Sequence, residues 1–247
     1  MRILSYNILK GGVGREKALA AVINAQAADV VILQEATRPD IIERLSRLTQ
    51  MPTHGSMRGR SLAFLSRVPI ADHRWVRPRW SQHAFLEITL ADEGLRIFGV
   101  HLSAVHAAWT EVRRVRELRA LLAAIKQFDR SPHLLVGDFN TLAPNERLDL
   151  AKLPRRLRWL VWLSGGRIRW QTIAIMLGAD YVDAFRRLHT ADAGYTFPTW
   201  EPHVRLDYAF LSEALAERLR ACDVVTSHDA LREASDHFPL SLDLELA

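Results

Sequence analysis

Six short polar clusters carry the chemistry this sequence can perform, and each borders a buried-looking apolar run. Asn7 closes Ile3-Leu4-Ser5-Tyr6, and Glu35 follows Val30-Val31-Ile32-Leu33-Gln34. His101 ends Ile97-Phe98-Gly99-Val100, and Asp138 and Asn140 follow Leu134-Leu135-Val136-Gly137. Asp207 and Tyr208 adjoin Arg205-Leu206, and Ser235-Asp236-His237 precedes the last apolar run. Alone, an Asp or Asn after a strand is usually a turn former or helix cap, and a lone His a hydrogen-bonded bystander. Six such sites together point elsewhere, because strand ends converge on one sheet edge, where layered enzymes place their pockets. Carboxylates and amides are hard oxygen ligands suited to Mg2+, with Mn2+ able to substitute. Glu35 is the preferred direct ligand, with Asp236 or Asp207 close by. A single cysteine excludes a thiolate zinc cluster; ten histidines leave a His-rich zinc site open by count, but no HExxH spacing occurs.

Positioning these groups requires strands that alternate with helices. Ile3–Leu9 and Val30–Leu33 read as strands, with helical patterns over Glu16–Ala27 and Ile41–Leu48, the latter started by Pro39. Leu62–Leu65, Trp75–Arg77, Phe85–Leu90 and Leu95–His101 are spaced closely enough for antiparallel hairpins. Trp109–Phe128 reads as a long amphipathic helix with Val112, Val115, Leu118 and Leu122 on its apolar stripe. Strands are again expected at His133–Val136, Leu206–Leu211, Val224–Val225 and Leu240–Leu244. Two packed sheets with helices on their outer faces fit this order, although one mixed sheet would give a similar pattern.

The bulk properties bound the rest. A chain of 247 residues, 49% hydrophobic and without repeats or a polar linker, suits one domain over 1–247. No run is long and apolar enough to span a membrane, and Met1-Arg2 does not open a signal peptide. Cys222 has no internal partner for a disulfide, so a cytoplasmic setting is expected. No obligate protein partner is evident. The net charge of +5 favours anionic partners, nucleic acid or acidic lipid.

Ser5-Tyr6-Asn7, Leu33-Gln34-Glu35, Gly99-Val100-His101-Leu102-Ser103, Gly137-Asp138-Phe139-Asn140, Arg205-Leu206-Asp207-Tyr208 and Ser235-Asp236-His237 occur in this order. The series resembles the motifs of the endonuclease/exonuclease/phosphatase superfamily, the DNase I-like metal-dependent phosphoesterases, from residue 3 to 240. The resemblance implies a four-layer α/β/β/α sandwich and Mg2+-assisted attack of water on a phosphate ester. It gives Glu35 and Asn7 to the metal, Asp236 to the metal or to His237, and Asn7 also to the scissile phosphate. Asp138 and Asn140 would orient water and phosphate, Asp207 would support His237, and His101 would contact phosphate or leaving group. Arg205 and Tyr208 join the substrate-binding set. The general base stays open between Asp138 and His237. In pancreatic deoxyribonuclease a glutamate backs the histidine equivalent to His101; here Arg58, Arg60 and Ser61 occupy that neighbourhood, so a phosphate contact is the firmer role for His101.

Outside these motifs, a segment at about 151–178 interleaves Arg155, Arg156, Arg158, Arg167 and Arg169 with Trp159, Trp162 and Trp170 around Gly165-Gly166. It reads as an inserted pair of helices, with three uses open: packing on the sandwich, stacking along nucleic acid, or peripheral contact with an anionic membrane. Arg169 and Trp170 are its candidate substrate-binding residues. A nuclease is the leading expectation. A lipid or small-molecule phosphodiesterase or phosphatase of the sphingomyelinase or inositol phosphatase type is the alternative, and a binding protein on a decayed scaffold the third.

Overall fold

The computed structural model describes residues 1–78, 81, 83–92, 94–104, 108–126, 131–144, 146 and 170–246. Their strands are β1 (Arg2–Asn7), β2 (Val30–Gln34), β3 (Thr53–Ser56), β4 (Leu62–Ser66), β5 (Ile70–Val76), β6 (Phe85–Leu90), β7 (Arg96–His101), β8 (His133–Asp138), β9 (Val182–Asp183), β10 (Asp207–Leu211), β11 (Leu219–Val224) and β12 (Leu240–Leu244). They form two sheets, ordered β11-β12-β1-β2-β4-β3 and β5-β6-β7-β8-β10-β9. Each sheet is mixed. β1 and β2 run parallel in the first, β7 and β8 in the second, and the other pairings are antiparallel. The longer helices are α1 (Glu16–Gln26), α2 (Pro39–Thr49), α3 (Ala108–Ile125) and α4 (Gln171–Leu177).

Two-residue alternation explains the layers. Ile3, Val30, Ile32, Leu62 and Phe64 of the first sheet meet Leu86, Ile88, Ile97, Leu134, Val136 and Ala209 of the second in one apolar core. The alternate residues Leu4, Tyr6, Val31 and Leu33 face outward onto Leu19, Val22 and Ile23 of α1 and Ile41, Ile42 and Leu45 of α2. On the far side Phe98, Val100, Leu135 and Phe210 pack against Leu118, Leu121 and Ile125 of α3 and Ile173 and Met176 of α4. The result is the expected α/β/β/α sandwich, and it excludes a single mixed sheet. Of the expected hairpins, β5-β6-β7 is present, whereas β4 (Leu62–Ser66) lies in the first sheet between β2 and β3.

Several local expectations need correction: β5 and β11 run well beyond the expected Trp75–Arg77 and Val224–Val225. β3, Thr53-His54-Gly55-Ser56, is an edge strand whose polar composition hid it, and β9 is only two residues long. The stripe of α3 is rotated: Val115, Leu118, Leu121 and Ile125 are buried, whereas Val112 is exposed. Glu111, Arg114 and Glu117 are also buried, on turns where sequence reasoning expects only apolar groups. Of the inserted helical pair, Gln171–Leu177 is a helix, and residues 151–169 lie outside the described residues. No helix among the described residues is long and apolar enough to cross a membrane.

Candidate active site

The polar set is the inter-sheet core continued past its apolar end. Ser5 and Asn7 share strand parity with the core residue Ile3, and Gln34 with Ile32; Gln34 Nε2 donates to Ser5 Oγ at 3.1 Å. In the second sheet, His101 follows Ile97, Asp138 follows Val136, and Asp207 precedes Ala209, each at an even spacing. Register then aligns them: His101 is opposite Asp138, and Asp138 opposite Asp207. Gly137 permits this approach. Its φ is +148°, and a Cβ there would lie 1.9 Å from the Val100 carbonyl oxygen. Glu35 and Asn140, at the exits of their strands, adopt left-handed φ values of 56° and 52°. Such backbone is uncommon for residues other than glycine and is concentrated at functional sites.

Asp138 is the hub. Its Oδ2 accepts from Asn7 Nδ2 and Asn140 Nδ2, both at 3.1 Å, and its Oδ1 accepts from the Asn140 amide at 2.8 Å. Asn140 Nδ2 also donates to the Leu102 carbonyl at 3.0 Å, tying the β7 and β8 exits together. The Nε2 atoms of His101 and His237 each lie 4.0 Å from Asp138 Oδ2. His237 is held from behind by Asp207, with Nδ1 and Oδ2 2.8 Å apart. Ser235 Oγ donates to the Asn7 carbonyl at 2.6 Å and accepts from the His237 amide at 3.3 Å, fixing the last motif to the first strand.

Burial and charge give the two histidines opposite characters. His237 is raised to about 10 because Asp207, then Asp138 and Asp236, favour the imidazolium over the cost of burial. His101 is lowered to about 3 by burial and by His83 and His237. Its Nδ1 is buried without a hydrogen-bond partner among the described residues, and its ring lies 5.2 Å from that of His83. Asp138 is raised to about 7, chiefly by burial and the charge of Asp207. Near neutrality the site therefore presents a charged His237, a neutral His101 and a carboxyl close to its midpoint.

Glu35 and Asp236 are only partly buried, at the same end of the sandwich. Glu35 Oε2 accepts from the Lys10 amide at 2.5 Å. Burial and the Glu35 charge raise the Asp236 carboxyl, a repulsion that a cation relieves. These oxygen donors, with Asn7 beside them, fit a hard divalent ion. Asp138, Asp207 and His237 also offer ligand atoms within 4.8 Å of one another. In that group Asp207 Oδ2 and His237 Nδ1 are engaged with each other, while Asp207 Oδ1 is buried without a hydrogen-bond partner among the described residues.

Arg205 and Tyr208 are placed differently from the sequence expectation. Arg205 is buried, with Nη1 and Nη2 on Asp183 at 3.1 and 2.8 Å and Nε on Glu146 at 2.8 Å. It also lies 4.4 Å from the Tyr208 ring centroid. Tyr208 is fully buried, and its hydroxyl donates to the Thr141 carbonyl at 3.0 Å. Both are corrected to supports of the wall behind Asp207, because their polar groups are spent internally. Trp170 is exposed just before α4, while Arg169 lies outside the described residues. Sequence reasoning missed Phe197, whose ring packs 4.9 Å from His237 and carries the exposed Trp200 at 6.2 Å. An aromatic-rich Tyr195-Thr196-Phe197-Pro198-Thr199-Trp200 loop just ahead of Asp207 was the available signal.

Residues 4–237 match the Endonuclease/Exonuclease/phosphatase family. Among solved structures the chain is similar to the 3′ phosphatase NExo from Neisseria bound to product DNA hairpin, at 20% identity over all of both chains and a TM-score of 0.74. It is similar to an AP endonuclease from Archaeoglobus fulgidus, at 17% identity over all of both chains and a TM-score of 0.75. An endonuclease/exonuclease/phosphatase from Beutenbergia cavernae matches at 22% identity and a TM-score of 0.74, covering all of this chain and 72% of that one. Comparison with curated proteins finds no match. At these identities the structural likeness is one of fold.

Proposed function

Because the chain belongs to the endonuclease/exonuclease/phosphatase family, whose members hydrolyse phosphoric ester bonds, we propose that it is a divalent-metal-dependent phosphodiesterase acting on nucleic acid. The observation that carries this reading is the Asp207–His237 pair facing Asp138, with Asn7 and Asn140 donating to the same Asp138 carboxylate. The net charge of +5 suits a polyanion, and two of the structural relatives are described as a 3′ phosphatase bound to product DNA hairpin and an AP endonuclease. Residues 1–247 would act as one catalytic domain, its insert at about 151–178 contributing Arg169 and Trp170 to substrate contact. The proposed setting is cytoplasmic.

In this reading Glu35, Asp236 and Asn7 would hold Mg2+, which when bound would supply positive charge at the phosphate and make a coordinated water more acidic. Charge on the phosphate oxygens otherwise repels the nucleophile. His237, kept protonated by Asp207, donates to a second oxygen as negative charge accumulates. Asn7 and Asn140 orient Asp138, whose carboxyl near 7 is matched to taking a proton from water at neutral pH. Of the two candidate bases, Asp138 is therefore assigned the task, since a His237 that is already protonated cannot accept one. Neutral His101 contributes a hydrogen bond to the phosphate or the leaving oxygen.

The test is parallel assay with and without Mg2+ on plasmid, single-stranded DNA, RNA, bis-p-nitrophenyl phosphate and phospholipid. Metal-dependent cleavage of nucleic acid is expected. Turnover of phospholipid alone would move the assignment to a lipid phosphodiesterase, with the insert at a membrane surface.

A further inference from the structure

The N-terminal half of α3 buries a carboxylate that performs no step assigned above. Glu111 and Arg114 are each about 1% exposed, a costly placement for two charges unless every polar group is used. Glu111 Oε1 accepts from the Thr172 amide at 2.8 Å and from Thr172 Oγ1 at 2.9 Å. Its Oε2 accepts from Thr141 Oγ1 at 3.2 Å and from Arg114 Nε at 3.0 Å. Arg114 Nη1 in turn donates to the Ser103 carbonyl at 2.7 Å. One ion pair thus grips three segments: the β7 exit two residues beyond His101, the residue following Asn140, and the first turn of α4.

We propose that Glu111 is a positioning residue for substrate specificity, fixing the α4 end of the insert, and with it the exposed Trp170, against the Asp138–Asn140 loop. This rests on the nucleic-acid phosphodiesterase reading and deepens it. The Asn140 loop serves any phosphodiester, so its anchoring affects all turnover. The α4 link matters only to a substrate long enough to reach Trp170. Sequence alone hides the device, because the groups that satisfy Glu111 and Arg114 come from remote segments, Thr141, Thr172 and Ser103.

The two roles separate experimentally. Thr172→Val removes the Oγ1 donor and leaves the amide bond to Glu111, so the protein should remain folded. Its KM for a DNA oligonucleotide is expected to rise about fivefold, the equivalent of one lost hydrogen bond, with kcat within about twofold. Hydrolysis of bis-p-nitrophenyl phosphate should not change, and Thr172→Ser should restore the DNA KM. Glu111→Gln, which also loosens Arg114, should lower turnover of both substrates and widen the gap between them. Equal losses of Thr172→Val on the two substrates, or no loss on DNA, would overturn the proposal. Wild-type protein inert toward both would remove the phosphodiesterase reading and this proposal with it, a result distinct from either.

Discussion

Asp138 Oδ2 and His237 Nε2 stand 4.0 Å apart, the first held by two asparagine amides and the second on a ring whose Nδ1 pairs with Asp207. A gap of that size exceeds a direct hydrogen bond, and both atoms are oriented by other partners. Their shifts run in the same direction, Asp138 to about 7 and His237 to about 10. The form with an ionised acid and a protonated histidine therefore spans the interval between those two values.

That interval sets the pH dependence. Turnover is expected to rise as pH passes about 7, where Asp138 loses its proton, and to fall near 10, where His237 loses its own. His237 has a second consequence. Its folded pKa lies above the ordinary 6.5, so its contribution to stability is full below 6.5 and is lost as pH rises through about 10. Thermal melts of the metal-free protein from pH 6 to 10 should show this decline.

Asp207→Asn keeps the shape behind His237 and removes the charge. The alkaline limb of the rate profile should move to lower pH, and turnover should fall by roughly 10^2–10^4, the range for a mispositioned acid–base group. An unchanged profile would detach Asp207 from the chemistry.

Glu35→Gln preserves size and removes a charge that, after burial, helps to raise Asp236. Calorimetric titration with Mn2+ should show affinity weakened by about tenfold or more, while circular dichroism stays native. Undiminished binding would move the cation to Asp138, Asp207 and His237, whose ligand atoms lie within 4.8 Å of one another.

Gly137→Ala tests the fold under the site. A Cβ 1.9 Å from the Val100 oxygen forces β7 and β8 apart where His101 and Asp138 face each other. Urea denaturation should show a loss of about 2–4 kcal/mol, in the range for a substitution that breaks a special backbone position.

Much of this was legible in the sequence because strands alternate. Runs such as Leu134-Leu135-Val136 announce a buried strand, and the polar residue that ends each run must emerge at its exit. The layers followed from the same alternation, and so did the convergence of Asn7, His101, Asp138 and Asp207. Pairings between distant segments were not legible. Nothing in the spacing says that Arg205 will turn from the substrate to Asp183 and Glu146, or that Phe197 will pack on His237. Those outcomes depend on which loops meet in three dimensions. The stripe of α3 failed for a related reason: burial of Glu111 and Arg114 is made tolerable by Thr141, Thr172 and Ser103, partners remote in sequence.

The most direct test is turnover of DNA by His237→Ala in saturating Mg2+, beside a melting curve and a Mn2+ titration on the same preparation. A loss of about a thousandfold or more, with folding and metal affinity retained, is what charge stabilisation at the phosphate requires. Near-native turnover by that variant would contradict a reaction centred on His237, Asp138 and one phosphate.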